Sequence, residues 1–298
     1  MNNAEFQAYI KKNSNDVIKL NKLEDFKLNQ RLSAFAKQNK MLLNNQAANL
    51  KGLTLVQRKM VYSEMVKNLT TFTKGYNADL MVALKNNALL GTQVQRQLFR
   101  EAAGLSVQGT EIGAAVLSNL FTVPDAAVKA TAARYWRDGI KLSDRVWNLE
   151  HGAKEDIQNA ALRMTVEGKA ASAKDIIAEV DGLVNPAMQG ITTTLHGRKI
   201  SYAAARVLRT ERTIAFREAQ KRSIQQTPLV DGIKWHRGSS CNCPICQNLA
   251  TQDLYNLGEG GYPVDQYPQH PHPHCMCFTT TLIRQPLADY GKRWNKFV

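Results

Sequence analysis

Apolar residues recur at spacings of three and four along most of this chain, and that period predicts helices. Across residues 15–50, Val17, Leu20, Leu23, Phe26, Leu28, Leu32, Phe35 and Leu42 follow it, with asparagine, lysine and glutamine between them. Such a helix is washed by solvent or packed on a partner rather than buried all round. A second helix is predicted over 54–88, capped by Thr54, with Gly91, Gly104 and Gly109 punctuating shorter segments after it. Residues 125–150 carry Ala127, Val128, Ala132, Tyr135, Trp136, Ile140, Val146 and Trp147 at helical spacing, interrupted near Gly139. Helices are also expected over 154–167 and over 172–180, where Ser172 and Asp175 form an acidic variant of the capping box.

The run 201–224 is the most informative helix. Ala204, Val207, Leu208, Ile214, Ala215 and Ala219 form one face, and Arg206, Arg209 and Arg217 lie on or near the opposite one. Glu211 and Glu218 fall in the middle of the apolar face, where an unpaired charge is expensive. Each therefore needs a cation or donor, and a structural salt bridge is the expected outcome.

The pattern changes at the prolines. None precedes Pro124, and seven of the nine lie from Pro228 onward, so the first 123 residues are free to form long helices and the last part is not. Residues 230–237, with Val230, Ile233 and Trp235, and 278–283, alternating threonine with apolar residues, are strand candidates. They flank a segment rich in proline, glycine, cysteine and histidine. The predicted fold is mainly α, an elongated helical body with a small C-terminal α+β cysteine-rich module in which a two-stranded sheet clasps a metal. The expected division is 1–123 long helices, 124–227 a helical core, and 228–298 the cysteine-rich module and tail.

Bulk properties narrow the function. At 44% hydrophobic residues over 298 positions the chain can build a real core. No apolar stretch is long enough to span a bilayer, and the first residues lack a secretory pattern, so folding in a reducing cytoplasm and no membrane partner are expected. The formal charge of +14 points to a polyanion such as DNA, RNA or an acidic protein surface.

All five cysteines lie between Cys241 and Cys277. An odd number packed into one segment of a reducing-compartment protein favours a metal over disulfides. Cys243 and Cys246 have the spacing that lets two thiolates bind one ion from a single turn, and Pro244 stiffens that turn. The second half offers His270, His272, His274, Cys275 and Cys277. In an extended run, residues two apart face the same side, so Cys275 and Cys277 can both meet the ion. The preferred set is Cys243, Cys246, Cys275 and Cys277 around a structural zinc. His272 competes for the fourth place, with Cys241 and His270 as bystanders or outer groups. A catalytic zinc needs an open position and a fixed base. Glu259 and Asp265 lie between the ligand pairs but nothing fixes them. No phosphate loop, Gly-x-Ser-x-Gly or His-Glu-x-x-His is present, so no enzyme is read and no catalytic residue is assigned. The competing reading is a zinc-dependent nucleic-acid enzyme such as a nuclease, using the histidines of 270–274.

Together, the Ala-Arg-Val-Leu-Arg-Thr-Glu helix ending at Glu211, the Trp235 strand, Cys243-Pro-Ile-Cys246 and the closing His272-Pro-His-Cys275-Met-Cys277 resemble the phage head morphogenesis family, the Mu F-like minor head proteins. The likeness covers residues 125–284. His274 stands where that family often has asparagine, and Met276 where arginine is common. The resemblance implies a minor capsid component bound near the portal, assisting head assembly and contacting packaged DNA without sequence preference. It also implies the capsid interior of the virion as its location, after assembly with the portal and other capsid components in the host cytoplasm.

Overall fold

The computed structural model describes residues 2–47, 55–108, 111–135, 139–166, 200–226, 230–238, 242–268, 272–273, 275, 277–283 and 289. These residues are mainly helical, with a small C-terminal sheet beside a cysteine cluster. The helices are α1 (Asn3–Ala47), α2 (Leu55–Gln108), α3 (Glu111–Ala133), α4 (Leu142–Val166), α5 (Ile200–Gln226) and α6 (Pro244–Thr251). The strands are β1 (Gly232–His236), β2 (Gly261–Tyr262) and β3 (Phe278–Leu282). The helix predicted over 172–180, with its cap at Ser172, the cap at Thr54 and the break expected at Gly109 lie outside the described residues.

Helix α1 starts earlier than its apolar period suggested. Asn2 Oδ1 accepts the Glu5 backbone N–H at 2.9 Å, and Glu5 Oε2 accepts the Asn2 N–H at 2.8 Å. This reciprocal pair satisfies two donors that a helix start otherwise leaves open.

Helix α2 corrects a larger expectation. It runs unbroken through Gly91 and Gly104, which the sequence suggested would end it. A Cβ added at Gly91 would meet the carbonyl oxygen of Phe216 at 2.4 Å. The glycine is therefore where α2 and α5 touch backbone to backbone, and that contact offsets the cost of about 1 kcal/mol that glycine carries in a helix.

Pro124 likewise lies inside α3 rather than at an end. Proline cannot donate to the carbonyl four residues back. That carbonyl, on Leu120, instead accepts Arg96 Nη2 at 2.8 Å and Nε at 3.3 Å. The interruption expected near Gly139 is present, at a positive φ of 74°. The chain then continues as α4 without the second break expected near residue 150.

Two compact units divide the chain, each assembled from separated stretches: 1–22, 81–135 and 208–298 in the first, 23–80 and 136–207 in the second. In the second unit, Phe35 meets Phe72 with ring centroids 5.4 Å apart, Asn68 Nδ2 donates to Asn39 Oδ1 at 3.1 Å, and Arg31 pairs with Asp79. Partners rise on α2 as they fall on α1, so the helices are antiparallel there. The Tyr76 hydroxyl donates to the Ala204 carbonyl at 2.9 Å and ties α5 to this pair.

Apolar clusters among the described residues of the first unit include two that bear on the site. One joins Phe6, Ile10, Val94, Leu98, Phe99 and Leu120 from α1, α2 and α3. The other lies under the sheet, whose order is β2-β1-β3 with both pairings antiparallel. The expected two strands have become three, because β2 is a two-residue strand too short for any alternation to reveal. Ile233 and Trp235 point inward from β1, as do Thr279 and Thr281 from β3. The buried threonines are satisfied by amides: Thr279 Oγ1 donates to Gln220 Oε1 at 2.6 Å, and Gln95 Nε2 donates to Thr281 Oγ1 at 2.9 Å.

Candidate metal centre

Cys243 is the N-cap of α6 and Pro244 occupies its first turn, where the missing N–H costs nothing and the fixed φ favours helix. Cys246 then falls within that turn, so the Cys-Pro-Ile-Cys run brings both sulfurs to one helix start. On the other side, Cys275 and Cys277 shortly precede β3. Cys277 directly precedes Phe278, which pairs with His236 at the start of the β3–β1 ladder.

Five side chains meet there in two overlapping triads. Cys243, Cys246 and His272 form one and Cys246, Cys275 and Cys277 the other, with the donor atoms of each triad within 4.8 Å of one another. Cys246 belongs to both. Cys246, Cys275 and Cys277 are buried, and Cys243 is half-buried. The donor set of soft thiolates and an imidazole can hold a metal ion.

Spacing discriminates among the candidates. Two sulfurs bound to one tetrahedral ion at about 2.3 Å each stand about 3.8 Å apart. Cys246 and Cys275 sulfurs are 3.9 Å apart. Cys246 Sγ and His272 Nε2 are 2.9 Å apart, closer than the roughly 3.6 Å that a shared tetrahedral ion sets, so His272 would have to draw back to ligate. Its ring is nonetheless turned the right way. Nδ1 lies 2.7 Å from the Pro273 carbonyl, to which only a protonated nitrogen can donate, leaving the Nε2 lone pair toward the sulfurs.

Arg217 of α5 closes the cluster from the protein side. It is 1% exposed, its Nη2 lies 3.5 Å from Cys275 Sγ and donates to the Cys277 carbonyl at 2.8 Å, and its guanidinium stacks 4.3 Å from the Trp235 ring centre. The Tyr267 hydroxyl donates to the Arg217 carbonyl at 2.8 Å. The Cys275 thiol is held down to about 4, chiefly by a hydrogen bond from Cys277, with burial opposing and the Arg217 charge assisting. Cys277 is pushed up, first by the same shared hydrogen bond and then by burial. A Cys275 thiol lowered in this way and facing a buried arginine favours the deprotonated form that a metal requires.

Arg217 corrects the sequence reading, which placed it on the arginine-bearing face away from the core. Helix α5 is buried on nearly every side between Leu208 and Gln220, and Arg212, also 2% exposed, donates to the Asn21 carbonyl at 3.0 Å. The carboxylates behave as expected of structural groups. Glu211 pairs with Arg134 at 3.2 Å and Glu218 with Arg222 at 2.6 Å. Glu259 and Asp265 are exposed. Cys241, His270, His274 and Met276 lie outside the described residues.

The only signal that could have found Arg217 was its position eight residues after Arg209, two helical turns along α5. Around it, Ile224, Ile233, Tyr262 and Tyr267 complete the apolar wall. No family model, curated protein or solved structure matches the chain, so the reading of this centre rests on its own geometry.

Proposed function

We propose that the chain is a phage minor head protein acting in head morphogenesis, and that its cysteine cluster holds a structural zinc. The carrying observation is the way one helix and one metal-ligand knot are joined: α5 contains Arg209-Thr210-Glu211 and, two turns on, supplies the arginine that touches Cys275 and the Cys277 carbonyl. The element order that resembles the Mu F-like proteins is thus also a set of physical contacts. Thiolates with an imidazole in reserve favour zinc over hard cations. Burial of Cys246, Cys275 and Cys277 favours a clasp over a reaction centre, which needs an open position for substrate. When bound, the ion supplies a crosslink between α6 and the approach to β3. Arg217 lends its charge to the Cys275 sulfur and fixes the Cys277 backbone through its carbonyl.

In this role the protein binds the portal and neighbouring capsid components from inside the head, and its charge of +14 suits a place beside packaged DNA. The test is to purify particles from the phage whose genome encodes the chain and locate it by imaging and mass spectrometry. A few copies at the portal vertex, inside the shell, are expected. Absence from the particle, or a position on its outer surface, contradicts the reading.

A further inference from the structure

Where α1, α2 and α3 meet in the first unit, the apolar packing gives way to a polar cavity of about 420 Å³. Its walls are built from two matched stripes. Tyr9, Lys12, Asn13 and Asp16 recur along α1 at the spacing of one helical face, and Gln93, Arg96, Gln97 and Arg100 repeat the same spacing along α2. These groups flank the apolar contacts of Phe6, Ile10, Val94 and Leu98, with Asn13 buried and Lys12 and Arg100 reaching solvent.

Three cations and one carboxylate, Asp16, line the cavity, which leaves a net positive charge. Arg96 is committed to the Leu120 carbonyl and lies 4.6 Å from the centre of the Phe121 ring, holding that ring as a fixed platform. Phe121 is 56% exposed, so its ring stays accessible to a stacking partner. Burial and then the neighbouring Arg100 charge press Arg96 below the usual arginine value, so an anion placed between them relieves a cost the fold already bears. Asn13 Nδ2 donates to the Leu90 carbonyl and to Gln93 Oε1, both at 3.2 Å, which sets the amides in fixed orientations.

We propose that this cavity binds one nucleotide unit, with the base stacked on the open face of Phe121, amide groups from α1 and α2 at the base edge, and the phosphate held by Lys12 and Arg100. A volume of about 420 Å³ is of the size that small-molecule sites have and matches a single nucleotide. Aromatic stacking beside a cationic track is how single strands are held without sequence preference. The site uses none of the cysteine-cluster residues and does not depend on the head-assembly reading.

The experiment measures binding of the full chain to a labelled oligothymidylate of about 12 nucleotides, with thymidine monophosphate and a matching duplex as competitors. Phe121→Ala is expected to weaken single-strand binding about tenfold, and Lys12→Glu with Arg100→Glu by more, while Lys27→Glu on another exposed helix face changes it less than about twofold. All three side chains at the site are exposed or half-exposed, and circular dichroism checks that each variant stays helical. Monophosphate binding as tight as that of the oligonucleotide assigns the site to free nucleotides. Much tighter oligonucleotide binding assigns it to a single strand. Absence of binding by both, insensitivity to Phe121→Ala, or an equal loss with Lys27→Glu overturns the proposal. Duplex binding that ignores these variants leaves a DNA-facing role intact while removing this site.

Discussion

The α1–α2 helices and the cysteine module are stabilised in opposite ways. Along α1 and α2 the buried side chains recur for many turns, from Phe6 and Ile10 to Leu43 and from Val61 to Phe99. Each is one of many. Under the sheet, the cluster has eight buried residues and three of them are cysteines, so on the proposed reading a metal crosslink carries a share that hydrocarbon carries elsewhere. A long apolar seam tolerates a local loss, whereas a small core depends on each crosslink.

The sharpest way to break this comparison is Cys246→Ser, which removes the one residue common to both triads. With the proposed zinc bound, which in structural sites contributes roughly 10 kcal/mol or more, the module is expected to unfold outright on this substitution. Hydrogen exchange at β1 and β3 amides should become fast while α1 and α2 amides remain protected. Continued protection of β1 would contradict the assignment of the cluster as the module's main support.

Arg217→Ala should come next, at about 3 kcal/mol by chemical denaturation, because it strips a charge-assisted hydrogen bond from the Cys277 carbonyl and a stacked cation from Trp235. Arg217→Lys should recover only part of this, since lysine lacks the planar fork. If alanine costs nothing, the arginine is not what joins α5 to the module.

Among the helices, Gly91→Ala should destabilise by about 1–3 kcal/mol, because its Cβ would press on the Phe216 backbone rather than on a flexible side chain. The same change at Gly152, whose Cβ would meet nothing within 4 Å, should stabilise by up to about 1 kcal/mol. Equal effects at the two sites would show that the α2–α5 contact is not tight. The smallest effect is Asn2→Ala, about 1 kcal/mol, read as faster exchange confined to the first turn of α1.

Legibility followed the same divide. Periods of three to four residues and of two gave the main helices and the two longer strands, because burial of one face imprints those patterns locally. That Cys243, Cys246, His272, Cys275 and Cys277 come together was legible too, since their close spacing in sequence lets two short segments bring them to one place. What escaped depends on remote groups. Gly91 reads as a helix breaker until the Phe216 carbonyl is placed against it, and Pro124 reads as a boundary until Arg96 takes up the Leu120 carbonyl. Arg217 reads as solvent-facing until Trp235 and the cysteines cover it. In each case a backbone or charge cost visible in the sequence is offset by a partner far along the chain.

The most direct measurement is the metal content of the full chain, purified under reducing conditions without added metal, alongside exchange protection at β1 and β3. One zinc per chain is expected, with chelation releasing it and abolishing that protection while α1 and α2 stay protected. A metal-free chain whose β1 and β3 amides are fully protected would contradict the account.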